Sequence, residues 1–251
     1  MKLLFMILTI ITASLSTWAH GDGESRISIE PENQGTSIAG TFKYSFQLYD
    51  DSTRLPLGDK DLIESHTKIL HMLAYDSSRN EFNHVHPTFD GKVWSTDLNF
   101  LSNGNYFVWA QGTLTDGTEF STLVKAQIIN GSPALPVMPL TESLMATDQH
   151  TTLELDKTKI KAGIAAMINY KVSRDDGTKP LITSYLGALA HIVAVSPDGD
   201  ELIHVHPMAG GTPDSGMIHV TFPIEGDYRI WIQLIDQGVL KTIPLAITVL
   251  K

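Results

Sequence analysis

Residues 66–87 read HTKILHMLAYDSSRNEFNHVHP, and residues 185–207 read YLGALAHIVAVSPDGDELIHVHP. Set side by side at an offset of 120 positions, His71 meets His191, His84 meets His204 and His86 meets His206. Further on, FLSNGNYFVWAQ at 100–111 matches FPIEGDYRIWIQ at 222–233, now at an offset of 122. Phe100, Gly104, Tyr106, Trp109 and Gln111 thus answer Phe222, Gly226, Tyr228, Trp231 and Gln233. Self-similarity over this length means one structural unit used twice. The two copies span roughly 24–130 and 150–251.

Each copy reads as β structure. In the second, TTLELD, AAMINYKVS, ALAHIVAVS, ELIHVHP, MIHVTFP, YRIWIQLI and LAITVL are short segments rich in β-branched and aromatic residues. Turn signals at Asp175-Asp176-Gly177, Pro197-Asp198-Gly199 and Glu225-Gly226-Asp227 separate several of them. Seven short strands in a copy of this length predict an all-β protein of two tandem immunoglobulin-like β-sandwich domains. Gly104-Asn105-Tyr106 and Gly226-Asp227-Tyr228 resemble tyrosine corners. Trp109 and Trp231 alternate with those tyrosines, on the opposite face, and are expected in core or inter-sheet packing. Residues 131–149 contain Pro133, Pro136 and Pro139, so they read as a semi-rigid linker; Met138 and Met145 are assigned to linker packing.

The chain opens MKLLFMILTIITASLSTWAHGDGE: one Lys, an apolar run from Leu3 to Ile11, and small residues up to Ala19. That layout is a cleaved signal peptide over residues 1–19, placing the mature start at His20 and the protein in the periplasm or outside the cell. No apolar run is long enough for a membrane span. The formal net charge is −10, and loss of Lys2 makes it one unit more negative. Such a chain is a poor partner for nucleic acid, which needs a basic surface. There is no Cys, so stability rests on the core or on bound metal.

Six of the ten histidines occupy the repeated positions His71, His84, His86, His191, His204 and His206. In His-x-His on a strand both rings point to one face, about 7 Å apart at Cα. A third His on the neighbouring strand then completes a three-imidazole set, a donor type that suits copper and zinc. Pro87 and Pro207 stop the strand and put each pair near a sheet end. Whether the third His joins depends on hairpin register. A four-residue loop (76–79 and 196–199) sets His71 opposite His84 and His191 opposite His204. A three-residue Pro-Asp-Gly turn with a bulge slips the pairing by one and turns His191 away.

His66 (matched by Leu186), His219 and His150 read as surface residues, and an N-terminal His20 offers an amine and an imidazole to copper. Met208 follows the second motif where Thr88 follows the first, so a Met ligand would make the copies unequal. Gln111 and Gln233 read either as partners that orient an imidazole or as groups bonded to the sheet backbone.

The series of a strand carrying His, an Asp-Ser or Asp-Gly hairpin, His-Val-His-Pro, and Phe-Pro-x-x-Gly-x-Tyr-x-x-Trp resembles a module of exported bacterial proteins associated with copper and heavy-metal handling. The first copy departs from it at Leu101, where the second has Pro223. The plan is also similar to small periplasmic copper carriers of sandwich fold, whose Met-rich loops are missing here. The resemblance implies a metal-binding protein acting in buffering, delivery or resistance, with a metal ion and another periplasmic metal-handling protein as partners and no catalysis. On this reading each domain holds one ion, copper first and zinc second. A cupin-like metal enzyme is the rival, but no Glu follows either His-x-His at the spacing that cupins need, and no His follows His219. A structural or adhesive tandem sandwich with structural histidines is the third reading.

Overall fold

The computed structural model describes residues 25–32, 36–65, 67–208 and 212–251. The signal-peptide reading, His20 and His66 fall outside them. The first repeat holds strands β1 (Ile27–Pro31), β2 (Gly40–Asp50), β3 (Leu70–Asp76), β4 (Phe82–Val85), β5 (Trp94–Phe100), β6 (Gly104–Leu114) and β7 (Glu119–Ile129). One sheet is β1-β2-β5 and the other β7-β6-β3-β4, with short strands added at their margins. The second repeat holds β8 (Met145–Asp148), β9 (Thr151–Leu155), β10 (Ala165–Arg174), β11 (His191–Val195), β12 (Leu202–Val205), β13 (Ser215–Thr221), β14 (Gly226–Asp236) and β15 (Val239–Leu250). Its sheets run β8-β9-β10-β13 and β15-β14-β11-β12. The protein is therefore a pair of immunoglobulin-like β-sandwiches, as the repeat predicts. All seven expected strands of the second copy are present. An eighth, β8, lies within the stretch read as linker and pairs with β9.

Alternation builds each core. From β3 and β6, Leu70, Met72, Ala74, Tyr106, Val108 and Ala110 point inward between the sheets. Ile192, Ala194, Tyr228, Ile230 and Ile232 do the same from β11 and β14. Both tyrosine corners form. Tyr228 Oη donates to the Ile224 carbonyl at 3.0 Å and accepts from its amide, and Tyr106 Oη accepts from the Ser102 amide at 3.2 Å while giving its proton to the Glu81 carboxylate at 2.6 Å. Gly226 sits at φ +128°, and a Cβ there would lie 2.5 Å from Pro197 Cγ, so glycine is required at that corner.

Trp94 lies in the first sandwich core, but the repeated tryptophans, Trp109 and Trp231, do not. Trp109 and Trp231 point from the outer faces of β6 and β14 into a third apolar cluster with Leu73, Tyr75, Val193, Val195 and Leu202. This cluster joins the two domains: the β3-β4-β6 face of one sandwich packs on the β11-β12-β14 face of the other. Phe82 stacks on Trp231 at 4.5 Å and 10°, and Tyr75 Oη donates to the Gly199 carbonyl at 2.9 Å. Arg79 donates to the Pro197 carbonyl, and Thr67 Oγ1 to that of Leu186 at 2.7 Å.

Every residue of β3 and of β11 is buried, because one face meets its own sandwich and the other meets the neighbouring domain. Strands covered on both faces read as unbroken apolar runs, as in parallel sheets. ILHMLAY and ALAHIVAV are such runs.

Candidate metal centre

Hairpin register settles which histidines meet. Tyr75 pairs with Phe82 and Leu73 with His84; Val195 pairs with Leu202 and Val193 with His204. Neither expected turn is formed. Both loops are six residues long, 76–81 and 196–201, because a polar side chain at the loop entrance takes over amides at the loop exit. Asp76 Oδ1 accepts from Asn80 and Glu81 N–H at 2.8 Å each, and Ser196 Oγ accepts from Glu201 N–H at 2.9 Å. The register is two steps from that of the four-residue loop, so facing is preserved. One position beyond the last pairs, Met72–Val85 and Ile192–Val205, His71 comes level with His86 and His191 with His206. All three rings of each repeat therefore share the outer face.

That face is the one buried between the domains. His71 and His191 are fully buried, His84 and His204 nearly so, and His86 and His206 remain partly exposed. In the first repeat His71 Nδ1 lies 3.4 Å from His84 Nε2 and 3.2 Å from His86 Nε2. In the second, His191 Nδ1 lies 3.4 Å from His204 Nε2 and 2.6 Å from His206 Nε2.

The outward nitrogens fix the tautomers. His71 Nε2 donates to the Ser65 carbonyl at 3.0 Å, and His191 Nε2 to the equivalent Tyr185 carbonyl at 2.8 Å. In the neutral rings Nδ1 then carries the lone pair that faces the other histidines. His84 Nδ1 donates to Gln233 Oε1 at 2.9 Å, and the other end of that amide donates to Thr242 Oγ1 at 3.0 Å. His84 Nε2 is thereby left as the inward acceptor. Gln233 thus orients an imidazole, but one belonging to the other repeat. Gln111 donates to Ser121 Oγ at 3.0 Å, and its buried Oε1 accepts no hydrogen bond among the described residues.

The domain contact brings the two sets together. His71 and His204 rings lie 5.1 Å apart and His84 and His191 rings 5.4 Å apart, contacts that exchange under the repeat. His84 and His204 meet at 5.0 Å on the pseudo-twofold axis between them. Residue i of one copy touching j of the other, and the reverse, marks an isologous interface. Ring nitrogens of His71, His84 and His204 lie within 4.8 Å of one another, as do those of His191, His204 and His206. The two triads expected one in each domain thus lie side by side: the six histidines form a single interdomain cluster, and one close-set group, His71, His84 and His204, draws on both repeats.

Desolvation, then the neighbouring rings, holds His84 and His204 well below the ordinary imidazole value. The same causes, with Lys68 added, push His86 down to about 3. These three rings are neutral, the ligating form. The other two described histidines lie elsewhere. His150 pairs with Asp175 at 2.9 Å on the surface, and His219 sits on β13 opposite Met167. Met208 is tied by its amide to the Met217 carbonyl at 2.7 Å, and Met138 and Met145 are exposed.

The profile of a family described as "Domain of unknown function (DUF8832)" matches residues 145–251, from β8 to the end of the second sandwich. No curated protein sequence matches the chain. Solved structures similar to the chain include fibronectin(III)-like modules of Clostridium thermocellum CbhA, at 14% identity over 88% of this chain and 94% of that chain, with a TM-score of 0.24. A tetra-tandem repeat in the extending region of a large adhesion protein matches at 12% identity, over 90% of this chain and 49% of that one, with a TM-score of 0.29. A Salmonella alpha-2-macroglobulin matches at 10% identity, over 96% of this chain and 16% of that one, with a TM-score of 0.28.

Proposed function

We propose that this chain is an exported metal-binding protein whose histidine cluster takes up copper, with zinc second, for buffering or delivery to another periplasmic metal-handling protein. One observation carries the reading. Lone pairs on His71 Nδ1 and His84 Nε2 converge, with His86 Nε2 alongside, while Ser65 and Gln233 hold the outer nitrogens. Two nitrogens on one tetrahedral ion, each 2.0–2.1 Å from it, are about 3.3–3.4 Å apart. The His71–His84 and His191–His204 separations are 3.4 Å. The 2.6 Å contact between His191 and His206 is a ring-to-ring hydrogen bond that widens when an ion replaces its proton.

Neutral imidazole suits Cu(II) and Zn(II), and the Irving–Williams order puts copper ahead at equal supply. Donors bonded on their far side to a carbonyl or carboxamide are the arrangement that orients ligands in metal sites. Among the described residues no helix is long and apolar enough to cross a membrane, and export rests on the signal-peptide reading of residues 1–19.

A structural reading draws on the same geometry: edge-to-face histidine packing and the His206–His191 bond would serve as a polar plug in a domain interface. Titration of the metal-free protein with Cu(II) and with Zn(II) decides between them. The comparison is a variant with His84, His86, His204 and His206 all changed to Ala, checked for folding by its circular dichroism. Tight uptake that disappears in the variant is the expected result. Equal uptake by both proteins, or none by either, hands the cluster to the structural reading.

A further inference from the structure

We infer that the six histidines make one dinuclear centre, each repeat holding an ion and the two ions sharing the same interdomain pocket. The inference rests on the metal-binding reading above and goes beyond it in number and distance. Each repeat supplies a hub nitrogen, His71 Nδ1 or His191 Nδ1, approached by two Nε2 atoms from its own His-x-His, and His204 lies close to both hubs. The duplication preserves even the anchoring carbonyl, Ser65 in one copy and Tyr185 in the other. Two equivalent donor sets predict two ions rather than one.

Packing then places the sets in contact. His84 and His204 face each other on the pseudo-twofold axis with ring centroids 5.0 Å apart and planes at 84°. A ring nitrogen of His204 lies within 4.8 Å of ring nitrogens from both His71 and His84 in the other repeat. Ions held 2.0–2.1 Å from His84 and His204 nitrogens are then no more than roughly 9 Å apart. Two paramagnetic ions that close couple through space, whereas one ion in each of two separate domains would not. Since both sets lie on the contact face, an ion in one also stiffens the wall of the other, so occupancy and domain packing rise together.

The experiment is electron paramagnetic resonance on the full chain, loaded stepwise with Cu(II), with stoichiometry measured in parallel. His86→Ala and His206→Ala each remove one partly exposed ligand from one set and leave the buried hubs in place; tryptophan fluorescence confirms that both fold. The expected result is two ions in the parent with a dipole-broadened spectrum, and one ion with a sharp spectrum in each variant. Two ions giving sharp, independent spectra in the parent would overturn the shared centre. A single ion in the parent, lost in both variants, would replace it with one mononuclear site built from both repeats. No binding in the parent would remove the metal-binding reading itself, a result distinct from either.

Discussion

Acidifying the metal-free protein from pH about 7.5 to about 4.5 should unfold it in a window set by imidazoles and not by carboxylates. His84 and His204 are 7% and 1% exposed, and desolvation holds both well below their ordinary value in the folded state. In the unfolded chain the same groups titrate near 6.5. Below that pH the unfolded state takes protons that the folded state refuses. The stability they support is complete above about 6.5 and falls as pH drops toward the folded values.

Each such group contributes a slope of about 1.4 kcal/mol per pH unit, so this pair gives about 3 kcal/mol per unit once the pH is below roughly 6. His86, lowered to about 3, extends the window downward. Each pH unit over which both rings stay neutral in the folded state thus removes a large fraction of the roughly 5–15 kcal/mol that holds an ordinary domain together. The carboxylates act elsewhere. Arg26 holds Asp50 low and Arg174 holds Asp176 low by hydrogen bonds, so their protonation destabilises only below about pH 4. Urea titrations followed by tryptophan fluorescence at half-unit steps would measure the slope, and His204→Gln should reduce it by about half. A stability that stays flat between pH about 7 and about 5 would refute the claim that these rings are buried and neutral.

Gln233→Leu removes the acceptor of His84 Nδ1 and should weaken Cu(II) binding about 10–100-fold with the fold intact, as calorimetry would show; unchanged affinity would count against the tautomer lock. Trp231→Ala deletes a side chain stacked on Phe82 and touching Tyr75 and should cost about 3–5 kcal/mol. Because that contact lies between the sandwiches, the urea transition should also split into two; a single transition with little loss would argue that the interface contributes little. Tyr228→Phe should cost about 1 kcal/mol in a denaturation midpoint through its corner bond to Ile224. Tyr106→Phe should cost more, since its hydroxyl donates instead to the Glu81 carboxylate at 2.6 Å, a charge-assisted bond. Equal costs would show that the Glu81 bond adds nothing.

The repeat, the strand series, the tyrosine corners and the six histidines were all readable from sequence, because each is a local pattern. Strand-forming segments keep their period of two, turns keep their Gly, Asp and Pro, and a duplicated chain keeps its spacing. Hairpin register was only half legible. Pro197-Asp198-Gly199 suggested a tight turn, but the side chains of Asp76 and Ser196 capture loop amides and lengthen both loops to six residues. The slip was an even number of steps, so the facing of His71 and His191 survived.

The association of the domains is what tertiary structure alone decided. Its trace was present in ILHMLAY and ALAHIVAV, runs without the alternation that a solvent-facing sheet requires, and in Trp109 and Trp231, which alternate with the core tyrosines and so lie on outer faces. Neither trace names a partner, because burial of a strand's second face says only that something covers it. Here the cover is the chain's own second copy, and that choice turns two separate histidine triads into one cluster. Local spacing in the chain singled out the six histidines and put each His-x-His pair on one face, while the side on which His71 and His191 lie came from the register of the folded hairpins. Only packing across the pseudo-twofold axis decided that His84 and His204 meet, since it depends on the fit of two whole faces and not on any local spacing.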